Sequence, residues 1–152
     1  MKKLLSLALM TLLLTGCGAE DKTTTICKGN LDEITEATVT IEAEGDKTNV
    51  MKGTVVYDLS SMVSEDAPID TWLPILKSSN IDYNSLKGGK AEYKVDGNKI
   101  TLDLELDYEK ADFDELKKAN LITTSEEGKV TYISLEQTIK EQEKTGLTCK
   151  EK

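Results

Sequence analysis

Asp103, Glu105, Asp107 and Glu109 stand at alternate positions, and carboxylates at that density support two kinds of chemistry. Several together can hold a hard divalent cation such as Ca²⁺. Two of them, drawn from the acids between Asp103 and Asp114, could cleave a cell-wall glycan, one as acid and the other as base or nucleophile. Spacing argues against the cation, because alternate residues of a strand are strung out along it and no loop here supplies converging ligands. The row reads instead as the wet face of a strand, with no metal or cofactor site expected. The inventory removes other chemistry. Among the 152 residues there is no His and every base is Lys, so a Ser-His-Asp triad, a Cys-His pair and an imidazole zinc site are excluded. Ser60-Ser61 and Ser78-Ser79 have no base beside them and read as turn residues. No catalytic residue is assigned, and the chain reads as a non-enzyme.

The three cysteines have separate expected roles. Lys2 and Lys3 precede an apolar run from Leu4 to Leu14, and Leu14-Thr15-Gly16-Cys17 closes it. Such a run is too short for a permanent membrane span, and small residues before a Cys are what a lipoprotein signal peptidase reads. Residues 1–16 are therefore expected to be removed and Cys17 to carry lipid, palmitate included, on the outer side of the cell membrane. Cys27 and Cys149 remain, in an oxidation-permissive compartment, as an expected structural disulfide near the two ends of the domain.

Charge narrows the partners. Without Lys2 and Lys3, 17 lysines face 28 carboxylates, a balance of −11. That surface repels nucleic acid, so none is expected as a partner, and it repels anionic headgroups, so membrane attachment must come from the lipid. The remaining candidates are an envelope protein or a cell-wall partner. Trp72, with Pro68, Ile69 and Leu73, is the candidate partner surface, since an exposed indole offers contact area with a polar tip; the competing reading has Trp72 plugging a gap beside the sheet.

The elements that must position these residues follow from periodicity. Residues 17–25 read as the lipidated Cys and a short polar tether, and residues 26–152 as one domain. Period-two alternation through Val39, Ile41 and Ala43, a Gly45-Asp46 turn, and a return through Met51, Val55, Tyr57 and Leu59 predict a β-hairpin over 36–59. Ala91, Tyr93 and Val95, then Asp96-Gly97-Asn98, then Ile100, Leu102, Leu104, Leu106 and Tyr108 predict a second, with Asp-Gly as its turn signal. Helices are predicted over 112–119, capped by Asp112 with Glu115 three residues on and exited through Asn120, and over 134–145, capped by Ser134 and ended by Gly146. A short strand is predicted at 130–133. Residues 60–84 read as helix then loop, with any helix starting at or broken near Pro74. The fold class is therefore α+β, an antiparallel sheet from two hairpins with helices on one face, in an element order that suggests a tandem hairpin-helix repeat.

Several of these stretches resemble the YehR-like small bacterial lipoproteins, an uncharacterised domain of unknown function: Cys27-Lys28-Gly29, Val39 to Lys47, Asp107 to Leu116 (DYEKADFDEL) and Gly146 to Lys150. The departure is at Asp66 to Pro74, where such proteins carry a longer charged helix. The resemblance covers nearly the whole mature chain and implies no catalytic residues. The expectation is thus a lipid-anchored, extracytoplasmic, non-enzymatic binding or accessory module of the cell envelope. The alternatives are the glycan hydrolase above and a secreted peptide released from the signal at residues 9–16.

Overall fold

The structure, a computed structural model, describes residues 21–122 and 130–152. The signal segment and Cys17 lie outside the described residues. Six antiparallel strands form one sheet: β1 (Lys22–Asn30), β2 (Thr35–Glu44), β3 (Lys47–Asp58), β4 (Gly89–Asp96), β5 (Lys99–Asp107) and β6 (Thr148–Glu151), in the order β4-β5-β3-β2-β1-β6. Three helices accompany them, α1 (Ile69–Ser79), α2 (Phe113–Lys118) and α3 (Leu135–Lys144).

Both predicted hairpins form. Each closes through a two-residue turn, Gly45-Asp46 or Gly97-Asn98, in which only the glycine takes a positive φ, 56° in both. The Asp-Gly signal in the second hairpin therefore acts one residue late. Asp96 ends β4 opposite Lys99, and Gly97 occupies the first turn position, where a type II′ turn places its glycine.

One face of the sheet is the core. Register puts Cys27, Val39, Gly53, Leu104 and Ala91 in one row across it, flanked by rows containing Ile41, Met51 and Leu106 on one side and Ala37, Val55 and Leu102 on the other. Leu135 and Ile139 of α3 cover the part around Cys27, Ala37 and Ile41. Leu116 and Phe113 of α2 pack with Leu106 and Tyr108. Above the remaining part, Asn80 at the end of α1 hydrogen-bonds the Tyr57 hydroxyl, and Lys77 lies over the Tyr93 ring. The described helices thus share one face, as expected, and among the described residues the other face of the sheet carries none.

The helix ends follow their local signals. The Asp112 carboxylate accepts from the Asp114 and Glu115 amides, and Asn120 takes φ 56° as the left-handed exit of α2. Leu121 N–H reaches back to Leu116 C=O and Asn120 N–H to Lys117 C=O, a Schellman closure that α3 repeats with Gly146 and Leu147. Glu115 does not complete a capping box. Its carboxylate accepts instead from the Lys87 amide and ties the loop before β4 to α2.

Four expectations are corrected. Residues 22–25, read as tether, are already β1, paired with β2. Residues 130–133 form no strand; only Ser134 makes a bridge, to Lys47. Helix α1 runs through Pro74 and neither starts nor breaks there, since proline at its sixth position forfeits only one backbone bond, to Asp70. The tandem hairpin-helix repeat is not borne out: β1 and β6 extend the first hairpin alone, and two helices follow the second.

Candidate binding face

The face of the sheet opposite the described helices carries the acids of β5. Asp103, Glu105 and Asp107 of β5 all point to it, and the register decides what they meet. Glu105 lies between Lys90 on β4 and Lys52 on β3. Asp103 lies between Glu92 and Thr54, a like-charge neighbour on one side that alone would be unfavourable. Lys94 resolves the conflict by reaching both, its Nζ 2.8 Å from Asp103 and 3.6 Å from Glu92. Thr54 Oγ1 donates to the other Asp103 oxygen at 2.8 Å. Asp107 is held by Lys110 and by the Glu109 amide. Further across, Lys52 pairs with Glu42 at 2.8 Å and Lys99 with Asp58 at 2.9 Å.

These contacts set the protonation of the acids. The hydrogen bond from Lys94, then that from Thr54, holds the Asp103 carboxyl below the usual range, and Lys110 does the same for Asp107. Asp58 is pulled down to about 2, first by the Ser60 hydroxyl and then by Lys99. A glycosidase pair needs one carboxyl held protonated near neutral pH, and these shifts run the other way. Nor does the strand bring its acids together, for among the described residues no group of three Asp, Glu or Cys could hold a metal ion. The arrangement is a shallow, open groove of about 530 Å³ across β3, β5 and β4, walled by Lys52, Thr54, Lys90, Glu92, Asp103 and Glu105. Alternating fixed charges of this kind can recognise a surface of complementary pattern.

The family model for the protein of unknown function DUF1307 matches residues 24–148. The chain belongs to the DUF1307 family. The solved structure of Escherichia coli YehR is 20% identical, covers 87% of this chain and 92% of its own, and aligns with a TM-score of 0.57. A Streptococcus pneumoniae TIGR4 protein, also solved by NMR, is 16% identical over 99% of this chain and 96% of its own, with a TM-score of 0.51. At these identities the likeness is one of fold. No curated protein matches the chain.

Three further residues singled out in the sequence are placed within this DUF1307 domain. Cys27 and Cys149 face each other directly across β1 and β6 and form a disulfide, with Cys27 fully buried against Ala37, Ile41 and Leu147. Trp72 is half-buried on α1, in a stripe with Ile69, Leu73 and Leu76 at the i, i+3, i+4, i+7 spacing of a packed helix face. Its indole nitrogen is shielded from solvent and finds no hydrogen-bond partner among the described residues. The exposed apolar residue of α1 is Ile75, not Trp72.

The sequence reading missed the lysines that complete the charged face and the guard on its edge. Asn84, in a short 3-10 turn at Tyr83–Ser85, accepts from Ala91 N–H and donates to Ala91 C=O, both at 2.9 Å, so its side-chain amide stands in for a neighbouring strand on β4. The lysine signal was present as Lys90, Glu92 and Lys94 alternating opposite Glu105, Asp103 and Thr101 once the hairpin register is applied. Asn84 has no such local signal, because its target lies seven residues on through a loop.

Proposed function

We propose that this DUF1307 protein is a lipid-anchored, extracytoplasmic binding or accessory module of the cell envelope and carries out no catalysis of its own. The observation that carries this reading is the open face of the sheet, where Glu42, Asp58 and Asp103 are each ion-paired with a lysine of an adjacent strand and present a patterned surface instead of a reactive pair. The lipobox ending at Cys17 supports the location. Nucleic acid remains unsuited to a surface of this charge.

The test is site-specific crosslinking in the native envelope. Photoreactive side chains at Thr40 and Thr101, which point from the open face, should give a discrete adduct that is lost when Lys52 and Lys94 are both changed to Glu. The same probe at Lys140 on α3 should give none. The reading fails if no adduct depends on those lysines, or if the purified domain releases products from cell-wall glycan and loses that activity with Asp103→Asn or Glu105→Gln. Replacing Cys17 with Ser should leave an unprocessed precursor that takes up no radiolabelled palmitate, and normal labelling would overturn the anchor.

A further inference from the structure

The short length of chain between Cys17 and Asp21 limits how the domain can sit on a membrane. Asp21 is already fixed, its carbonyl accepting from Gly45 N–H at 3.1 Å, and only residues 18–20 separate it from Cys17. Four Cα-to-Cα steps reach at most about 14 Å, whereas the twelve residues of β3 extend roughly 40 Å along the sheet. The sheet end at Asp21 is therefore the one the anchor holds down.

That end is built from several segments locked together. Lys22 pairs with Glu44 at 3.1 Å and Lys47 with Glu109 at 3.8 Å across its rim. Asp46 is turned to α3, its carboxylate accepting from Ser134 Oγ and Glu136 N–H, each at 3.0 Å. Next to this cap, Ile133 C=O accepts from Thr48 N–H, and the neighbouring Tyr132 is 49% exposed. Two acids in ion pairs, a third occupied in capping and an exposed tyrosine suit a lipid headgroup layer, where tyrosine is favoured. With a mature balance of −11, an anionic bilayer repels the domain as a whole, which favours the posture that brings the smallest surface against it, and an end of the sheet is smaller than either of its faces.

We propose that the end of the sheet formed by Asp21–Lys22, the Glu44–Lys47 turn and Tyr132 rests on the lipid bilayer, so that the strands stand away from it and the Gly97-Asn98 turn points outward. This rests on lipidation at Cys17. The opposite end then presents Leu31 and Met62, both exposed, to whatever lies beyond the membrane surface, and the charged face stands open to the side.

The experiment uses the full lipidated protein, disulfide intact, purified from membranes and incorporated into vesicles of phosphatidylcholine and phosphatidylglycerol bearing a headgroup nitroxide. A fluorophore is attached at Glu44→Cys, at Lys152→Cys or at Asn98→Cys. Flotation with the vesicles and quenching several-fold stronger at positions 44 and 152 than at 98 is the expected result. Flotation with equal quenching at all three overturns the orientation and leaves the anchor standing. Failure to float overturns the anchor, and the orientation with it. Two proximal positions keep the test informative if one variant folds poorly.

Discussion

Reducing the Cys27–Cys149 disulfide should remove a large share of the domain's stability, and the size of the effect follows from the 122 residues between the two cysteines. Chain-entropy bookkeeping for a loop of that length gives about 5 kcal/mol of constraint on the unfolded chain. A domain of this size has roughly 5–15 kcal/mol in all, so the loss is a third or more of it. With an unfolding entropy near ~2.1 cal/mol/K per residue, the melting temperature should fall by about 15–20 °C. Packing is a minor term, because reduction leaves both sulfurs in place, with Cys27 still buried between Ile41 and Leu147. Cys149 is only half-buried, so Cys149→Ala should behave like the reduced protein. Cys27→Ala should be worse by about 1 kcal/mol, because it empties part of a core site. Thermal unfolding followed by circular dichroism, oxidised against reduced, measures this. A fall below about 5 °C on reduction would refute the reasoning, since the long loop would then not be what the bridge restrains. Two reactive thiols in freshly isolated, unreduced domain would remove the bridge itself.

Three more outcomes can be checked on the same domain. A Cβ at Gly89 would clash with the Tyr83 carbonyl oxygen, so Gly89→Ala should destabilise by about 3 kcal/mol in a urea titration, whereas Gly97→Ala, with open space around it, should cost only the strain of its positive φ. The folded-state pKa of Asp58 lies below its unfolded value, at about 2 against 3.8, so its contribution is complete above about pH 4 and is lost as pH falls toward 2. Asp58→Asn should flatten the acid limb of a stability-versus-pH curve over that window, and an unchanged limb would contradict the assignment. Lys94→Met leaves Glu92 and Asp103 opposed without their shared cation, and should destabilise only slightly at low salt, the effect shrinking as salt is added, because the site is half-exposed.

The parts of this fold that were legible are those whose signal is local. Leu102, Leu104 and Leu106 alternate with Asp103 and Glu105, so β5 and its faces follow from period two alone. Asp112, Ser134, Asn120 and Gly146 sit at helix ends because the groups they satisfy are within a turn of them. Strand β1 was hidden for the converse reason. Its inward residues are Thr23, Thr25, Cys27 and Gly29, while its one large aliphatic side chain, Ile26, points to the open face, so hydrophobic alternation reads the strand inside out. Strand β6 has four residues and a single inward sulfur, too little pattern to detect.

The expected Cys27–Cys149 bridge held more topological information than periodicity drew from it. A disulfide between two short, Thr-flanked segments at opposite ends of a domain brings those segments side by side, and two extended segments in contact within an antiparallel protein are a strand pair. Register then makes the remaining distinction between a bare acidic strand and a charged face. Asp103 has no cation next to it in the sequence, and only the placement of β4 and β3 on either side of β5 supplies Lys94 and Thr54 to it. The chemistry of this face is therefore a property of sheet order. Substitutions that shift the β4–β5 register by one residue would turn Lys90 and Lys94 toward the helix side and leave Asp103 without its cation, altering the candidate binding surface without changing one of its acidic residues.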